Sequence, residues 1–136
     1  MHITLEADYA VRIVDVLARQ DSIIDARALS EHTGVPLRFS LKILRNLVTG
    51  GIAKSYKGAK GGYILARKPE EITLRQVIEA IEGPYQFSRC MGEEYPCTMG
   101  KETCICRFYG IFHDISLSVR NKLDEVTFEQ KKSEAT

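Results

Sequence analysis

The chain has 136 residues, 44% hydrophobic and 27% charged, with a formal net charge of only +1. That size suits one domain with a small appendage. No apolar run approaches the ~20 residues of a membrane-spanning helix, and the N-terminus MHITLEADYAV lacks the basic and apolar regions of a secretory signal, which points to a cytoplasmic protein.

Residues 7 to 19 carry Ala10, Ile13, Val14 and Leu17 at helical spacing, the stripe of a helix packed on a core. Asp21-Ser22 breaks it, and Ile23-Ile24 suits a very short strand. Asp25 can cap a second helix running to about His32, with Ala28 and Leu29 inward and Gly34 as its left-handed stop. Pro36 then suits the first position of a third helix. Ile43, Leu44 and Leu47 share one face of that helix, Leu37 lies a turn earlier, and Gly50-Gly51 ends it. Helix, Gly-containing turn and helix make a helix-turn-helix.

Ile52 to Tyr56 and Gly62 to Ala66 read as two strands around KGAKG, a hairpin that would form a wing, and Pro69 closes the segment. Thr73 and Gln76 form a Thr-x-x-Gln capping box for a helix stopped by Gly83-Pro84. Residues 88 to 106 form a cysteine-rich loop. A long helix follows, in which Phe108, Phe112, Ile115, Val119, Leu123 and Val126 make a nearly heptad seam suited to pairing of two subunits. The tail after Glu129 is polar. The expected fold is mainly α with a small β-hairpin wing: a winged helix-turn-helix over residues 1–83, a cysteine-rich loop over 84–106, a dimerisation helix over 107–128 and a polar tail over 129–136.

The charge is unevenly spread. Residues 34 to 68 contain Arg38, Lys42, Arg45, Lys54, Lys57, Lys60, Arg67 and Lys68 and no acid, so the remainder sums to −7 (1 − 8). Such a patch on a helix and a hairpin is the electrostatic footprint of a duplex-binding surface. The third helix would present Arg38, Phe39, Lys42 and Arg45 outward; Arg can take two acceptors on guanine, whereas Lys mostly meets phosphate. Lys57 and Lys60 on the wing would reach backbone or minor groove, with Gly58, Gly61 and Gly62 allowing the tight turn. The bland alternative is a solvated basic helix beside a glycine hairpin. KGAKGG does not match a nucleotide-binding P-loop, G-x-x-x-x-G-K-[ST].

Cys90, Cys97, Cys104 and Cys106 follow C-x6-C-x6-C-x-C. Thiolates gathered on one loop suit zinc or an iron-sulfur cluster, although the spacing is neither a zinc ribbon nor a ferredoxin run. Free thiols or a redox disulfide are equally compatible with it. An oxidoreductase at Cys104 and Cys106 lacks the βαβ context of a thioredoxin-like site, and no other catalytic constellation stands out.

ADYAVR near the start, the helix-turn-helix, and KGAKGGYILARKPEEITLRQVIEAIEGP together resemble the Rrf2 superfamily of bacterial winged-helix transcription regulators, from about residue 2 to 128. The most specific part is Gly61, Gly62 and Tyr63 with the EEITL and IEAIEGP segments that follow. The resemblance implies a homodimer formed by the long helix, binding double-stranded DNA at a pseudo-palindromic operator, with no enzymatic activity. Ser40 departs from the family, which usually has an apolar residue there.

Cluster-binding members carry three cysteines in this loop, and sense iron, redox state or nitric oxide. Counting back from Val126-Thr127-Phe128, Cys90, Cys97 and Cys106 match them, and Cys104 is extra, either a substitute third ligand, a fourth, or a nearby thiol. The histidine that often follows three residues later is replaced by Tyr109, or by Arg107 if Cys104 is the third ligand. Asp8 occupies the helix in which nitric-oxide-sensing members supply an aspartate ligand from the partner subunit; as an acid in a first helical turn it also suits the helix dipole. His113 reads as a surface or interface residue, and His2 and His32 show no partner pattern. A two-iron or a four-iron cluster remains compatible, as does a same-fold regulator without a cluster that responds through thiol oxidation, zinc or a partner protein.

Overall fold

A computed structural model describes residues 3–87 and 107–130. Its elements are α1 (Leu5–Arg19), α2 (Ala26–Thr33), α3 (Leu37–Thr49), β1 (Ala53–Tyr56), β2 (Gly62–Leu65), a 3-10 turn (Pro69–Glu71), α4 (Leu74–Glu82) and α5 (Arg107–Asp124). The expected mainly helical fold with a hairpin wing is the one observed.

The starts of α1, α2 and α4 are each fixed by a side chain that satisfies an otherwise unpaired backbone N–H. Thr4 Oγ1 accepts from Ala7 N at 3.1 Å, and Asp25 Oδ1 from Ala28 N at 2.8 Å. The Thr73–Gln76 capping box is complete. Gly34 stops α2 with φ of 74°, a left-handed conformation that favours glycine. Pro36 stands one residue before α3, at its cap.

The core is built from helical stripes. Ala10, Ile13, Val14 and Leu17 of α1 meet Leu29 of α2, Ile43, Leu44 and Leu47 of α3, and Val77 of α4. Ser40 is fully buried among them. Its Oγ donates to the carbonyl of Val35 at 3.3 Å, so the hydroxyl brings its own acceptor and α3 needs no rotation to expose it.

β1 and β2 pair antiparallel, from Ala53 opposite Leu65 to Tyr56 opposite Gly62. Ile24 adds a one-residue third strand, exchanging hydrogen bonds with Tyr63 at 3.0 and 2.8 Å. The wing is thereby tied to the linker between α1 and α2.

The C-terminal end differs from the expected helix over 107–128. α5 ends at Asp124, and residues 126–128 leave it as an extended strap. Leu74 N donates to Val126 O at 2.8 Å, Phe128 N reaches Ile72 O at 3.2 Å, and the Phe128 ring is 7% exposed against the core. Val126 therefore lies outside the helical seam. Val, Thr and Phe are good strand formers, and the backbone of residues 72–74 offers them a pairing edge.

The seam is also divided. Phe112 packs on Phe87 with ring centroids 5.3 Å apart, inside its own protomer. Phe108, Ile111 and Leu117 are exposed. Arg75 on α4 joins the two helices, donating to Asp124 at 2.8 Å and to Glu79 at 3.1 Å. The hydrogen bond to Asp124, then that to Glu79, raises the Arg75 pKa above its ordinary value. A raised arginine pKa keeps the bridge charged at every pH below the ordinary value, so on the arginine side it persists across the neutral range.

Candidate nucleic-acid interface

Burial of Ser40, Ile43, Leu44 and Leu47 turns the opposite side of α3 to solvent. Arg38, Leu41, Lys42 and Arg45 are exposed there, recurring at the three- and four-residue steps of one helical face. β1 and the hairpin turn carry Lys54, Lys57 and Lys60, all exposed.

The cations do not all share this surface. Arg67 turns toward α4, donating to Gln76 Oε1 at 3.2 Å. Lys42 Nζ lies 2.9 Å from Glu6 Oε1 on α1, so the acid-free segment acquires a carboxylate from a distant part of the sequence.

Phe39 is not presented outward as expected. It is half-buried, packs on the core, and faces Tyr9 with centroids 6.3 Å apart. The Arg38 guanidinium lies 5.6 Å from its ring centroid, within cation–π range. Phe39 thus supports Arg38 from beneath.

The three wing-motif residues are builders of the hairpin. Gly62 is buried, and a Cβ placed on it would lie 2.4 Å from Ile24 O. A Cβ on Gly61 would lie 2.3 Å from Tyr56 O. Tyr63 is half-buried and supplies the backbone bridge to Ile24. What these residues present is the turn carrying Lys57 and Lys60.

Two exposed side chains escaped the sequence reading. Leu41 is 46% exposed in the middle of the basic face, and Tyr56 is 50% exposed at the end of β1. The three-residue step from Arg38 to Leu41 was the available signal for the first.

Cys90, Cys97, Cys104 and Cys106 lie outside the described residues. Among the described residues no group of three or more His, Cys, Asp or Glu is placed to hold a metal. Asp8 is half-exposed and bonded to Arg12 at 3.2 Å, one turn along α1. It is open to solvent, and joining any cluster would cost that pair. No described helix is long and apolar enough to cross a membrane.

The arrangement matches known proteins along nearly its whole length. Residues 3–131 match the family model described as Rrf2, iron-dependent transcriptional regulator. A Mycobacterium tuberculosis protein named as an HTH-type transcriptional regulator is 32% identical over 129 residues, spanning 93% of this chain and 78% of that protein. The transcriptional regulator IscR of Pectobacterium atrosepticum is 28% identical over 132 residues, spanning 96% and 78%. The solved structure of CymR, the global cysteine regulator of B. subtilis, superposes with a TM-score of 0.72 at 22% identity, covering 94% of this chain and 93% of that one, and shares the fold. The chain belongs to the Rrf2 family of transcriptional regulators, and is not an enzyme.

Proposed function

We propose that the protein is a homodimeric, sequence-specific DNA-binding regulator whose cysteine loop, residues 84–106, holds an iron-sulfur cluster. The observation that carries the DNA part is the exposed face of α3, with Arg38, Lys42 and Arg45 beside a glycine-built wing bearing Lys57 and Lys60. In the helix-turn-helix docking mode such a helix lies in the major groove. Arg38 and Arg45 then read guanine edges or hold phosphates, and the lysines neutralise backbone. The exposed Phe108 and Ile111 on α5 supply an apolar face for a second copy, which would set two α3 helices on a pseudo-palindromic duplex.

The cluster part rests on four thiols within residues 90–106, a soft donor set suited to iron and sulfide. Cys90, Cys97 and Cys106 are the proposed ligands, with Cys104 or the partner's Asp8 completing the site. When bound, the cluster supplies a redox- and nitric-oxide-reactive centre. The protein's own part is transmission. The residues entering the loop are held on α4 and α5 through Tyr85 and Phe87, so a change in the loop bears on the helix that would pair the subunits. It acts on operator binding only as far as the two loop states differ in affinity for DNA.

Anaerobic purification followed by an absorbance spectrum and iron and acid-labile sulfide assays tests this reading. Visible charge-transfer bands with matching iron and sulfide, both lost in Cys97→Ala together with an altered duplex affinity, are expected. A colourless protein that takes up no iron on reconstitution would leave the DNA-binding assignment standing and make the loop a thiol or zinc sensor.

A further inference from the structure

Leu41 is out of place for a solvated basic helix. Its neighbours on the same face are Arg38, Lys42 and Arg45, and its own side chain is 46% exposed. The core does not need it, because Ser40, Ile43, Leu44 and Leu47 already fill the buried side. Single exposed leucines are common on protein surfaces. Here a second, Leu37, is also exposed, one turn toward the start of the helix. The N-terminal part of a recognition helix is the part that contacts base edges.

The cations around Leu41 choose its partner by charge: a polyanion. The major groove of a duplex offers an apolar group at one place per A·T pair, the 5-methyl of thymine. We propose that Leu41 is a specificity-determining residue that recognises a thymine 5-methyl group in each half-site, a role resting on the DNA-binding reading above. Along an α-helix, Leu41 lies ~4.5 Å from Arg38 and ~6 Å from Arg45 at ~1.5 Å per residue. Base pairs are stacked at ~3.4 Å. The thymine therefore lies within about two base pairs of any base read by Arg38 or Arg45.

Deoxyuridine in place of thymine removes the methyl and leaves the hydrogen-bonding edge intact, which makes the test selective. Duplexes are first enriched from a random pool on the full-length, anaerobically purified protein. Each thymine of the enriched site is then changed singly to deoxyuridine, and affinities are measured for the wild type and Leu41→Ala, with circular dichroism confirming that the variant is folded. At one thymine per half-site, the substitution should weaken the wild type by about fourfold, the value of one buried methyl, and leave Leu41→Ala unchanged. Equal effects on the two proteins at every thymine, or no effect at any, would overturn the role of Leu41 while the enriched site kept the DNA-binding reading. Failure to enrich any sequence would overturn both.

Discussion

Arg120 on α5 donates from Nε to the carbonyl of Tyr85 at 2.8 Å, and its Nη2 donates to the same oxygen. Tyr85 N donates to Glu79 Oε1 of α4 at 3.0 Å, and Phe87 N to Ser116 Oγ of α5 at 2.8 Å. Both helices thus grip the backbone just before the cysteine segment. Arg120→Ala removes a charged donor from a part-buried carbonyl and should lower stability by about 1.5–3 kcal/mol. Urea unfolding measures that loss, and hydrogen exchange at the Phe87 amide should accelerate along with it. An unchanged midpoint and unchanged exchange would mean that the clamp carries no energy.

Ser40 makes the second prediction. The Val35 carbonyl that accepts its hydroxyl also accepts from Ser30 Oγ, so it stays satisfied when Ser40 is removed. Ser40→Ala should therefore cost less than about 1 kcal/mol. Ser40→Leu, the apolar type usual in the family, adds carbons to a fully buried position whose neighbours are already packed, and should cost about 1–3 kcal/mol. A stabilising Ser40→Leu would reveal unfilled space beside α3.

These cases show which parts of the molecule the sequence discloses. Among the described residues local rules located each α-helix, though not the 3-10 turn: the Ala10–Leu17 stripe, the Asp25 and Thr73 caps and the Gly34 stop are short-range signals that the core reinforces. The strap at Val126–Phe128 is illegible because Val126 continues the seam of α5 in spacing, and only the edge offered by residues 72–74 separates strand from helix there. Phe39 looked outward because its neighbour Arg38 is outward; its packing on Tyr9 joins residues thirty apart. Lys42 likewise looked free, since Glu6 is a partner that only the fold supplies. Spacing along one helix shows a face, but not what another element lays against it.

Gly62 carries the third prediction. A Cβ there would lie 2.4 Å from Ile24 O and 2.9 Å from Asp25 N, both backbone atoms that cannot swing aside. Gly62→Ala must displace the Ile24–Tyr63 bridge and should cost about 2–4 kcal/mol. Gly58, at φ of 107°, has open space around it, so Gly58→Ala meets only backbone strain of about 1–2 kcal/mol. Thermal melts of the two variants rank them. Equal losses would show that the wing can move away from the α1–α2 linker at little cost.

The Lys42–Glu6 pair carries the last. The pair sits at the surface, with the Lys42 side chain 61% and that of Glu6 36% exposed, so solvent screens it and it contributes about 0–1 kcal/mol to folding. If the α3 face meets phosphate as proposed, its larger effect should be on duplex binding, because Glu6 both occupies Lys42 and sets a negative charge beside that face. Glu6→Gln should leave the melting temperature nearly unchanged and raise duplex affinity, with a salt dependence steeper by about one counterion per subunit. Lys42→Ala should weaken binding to all sequences alike and flatten the salt dependence by less, since Glu6 leaves Lys42 only part of its one counterion in the wild type. The two effects should not add, since Glu6→Gln acts partly by freeing Lys42 and loses that part once Lys42 is gone. Measuring all four proteins across a salt series separates the possibilities: strict additivity would mean that Glu6 acts on the duplex only through its own charge, and no response to either change would place Lys42 away from the DNA.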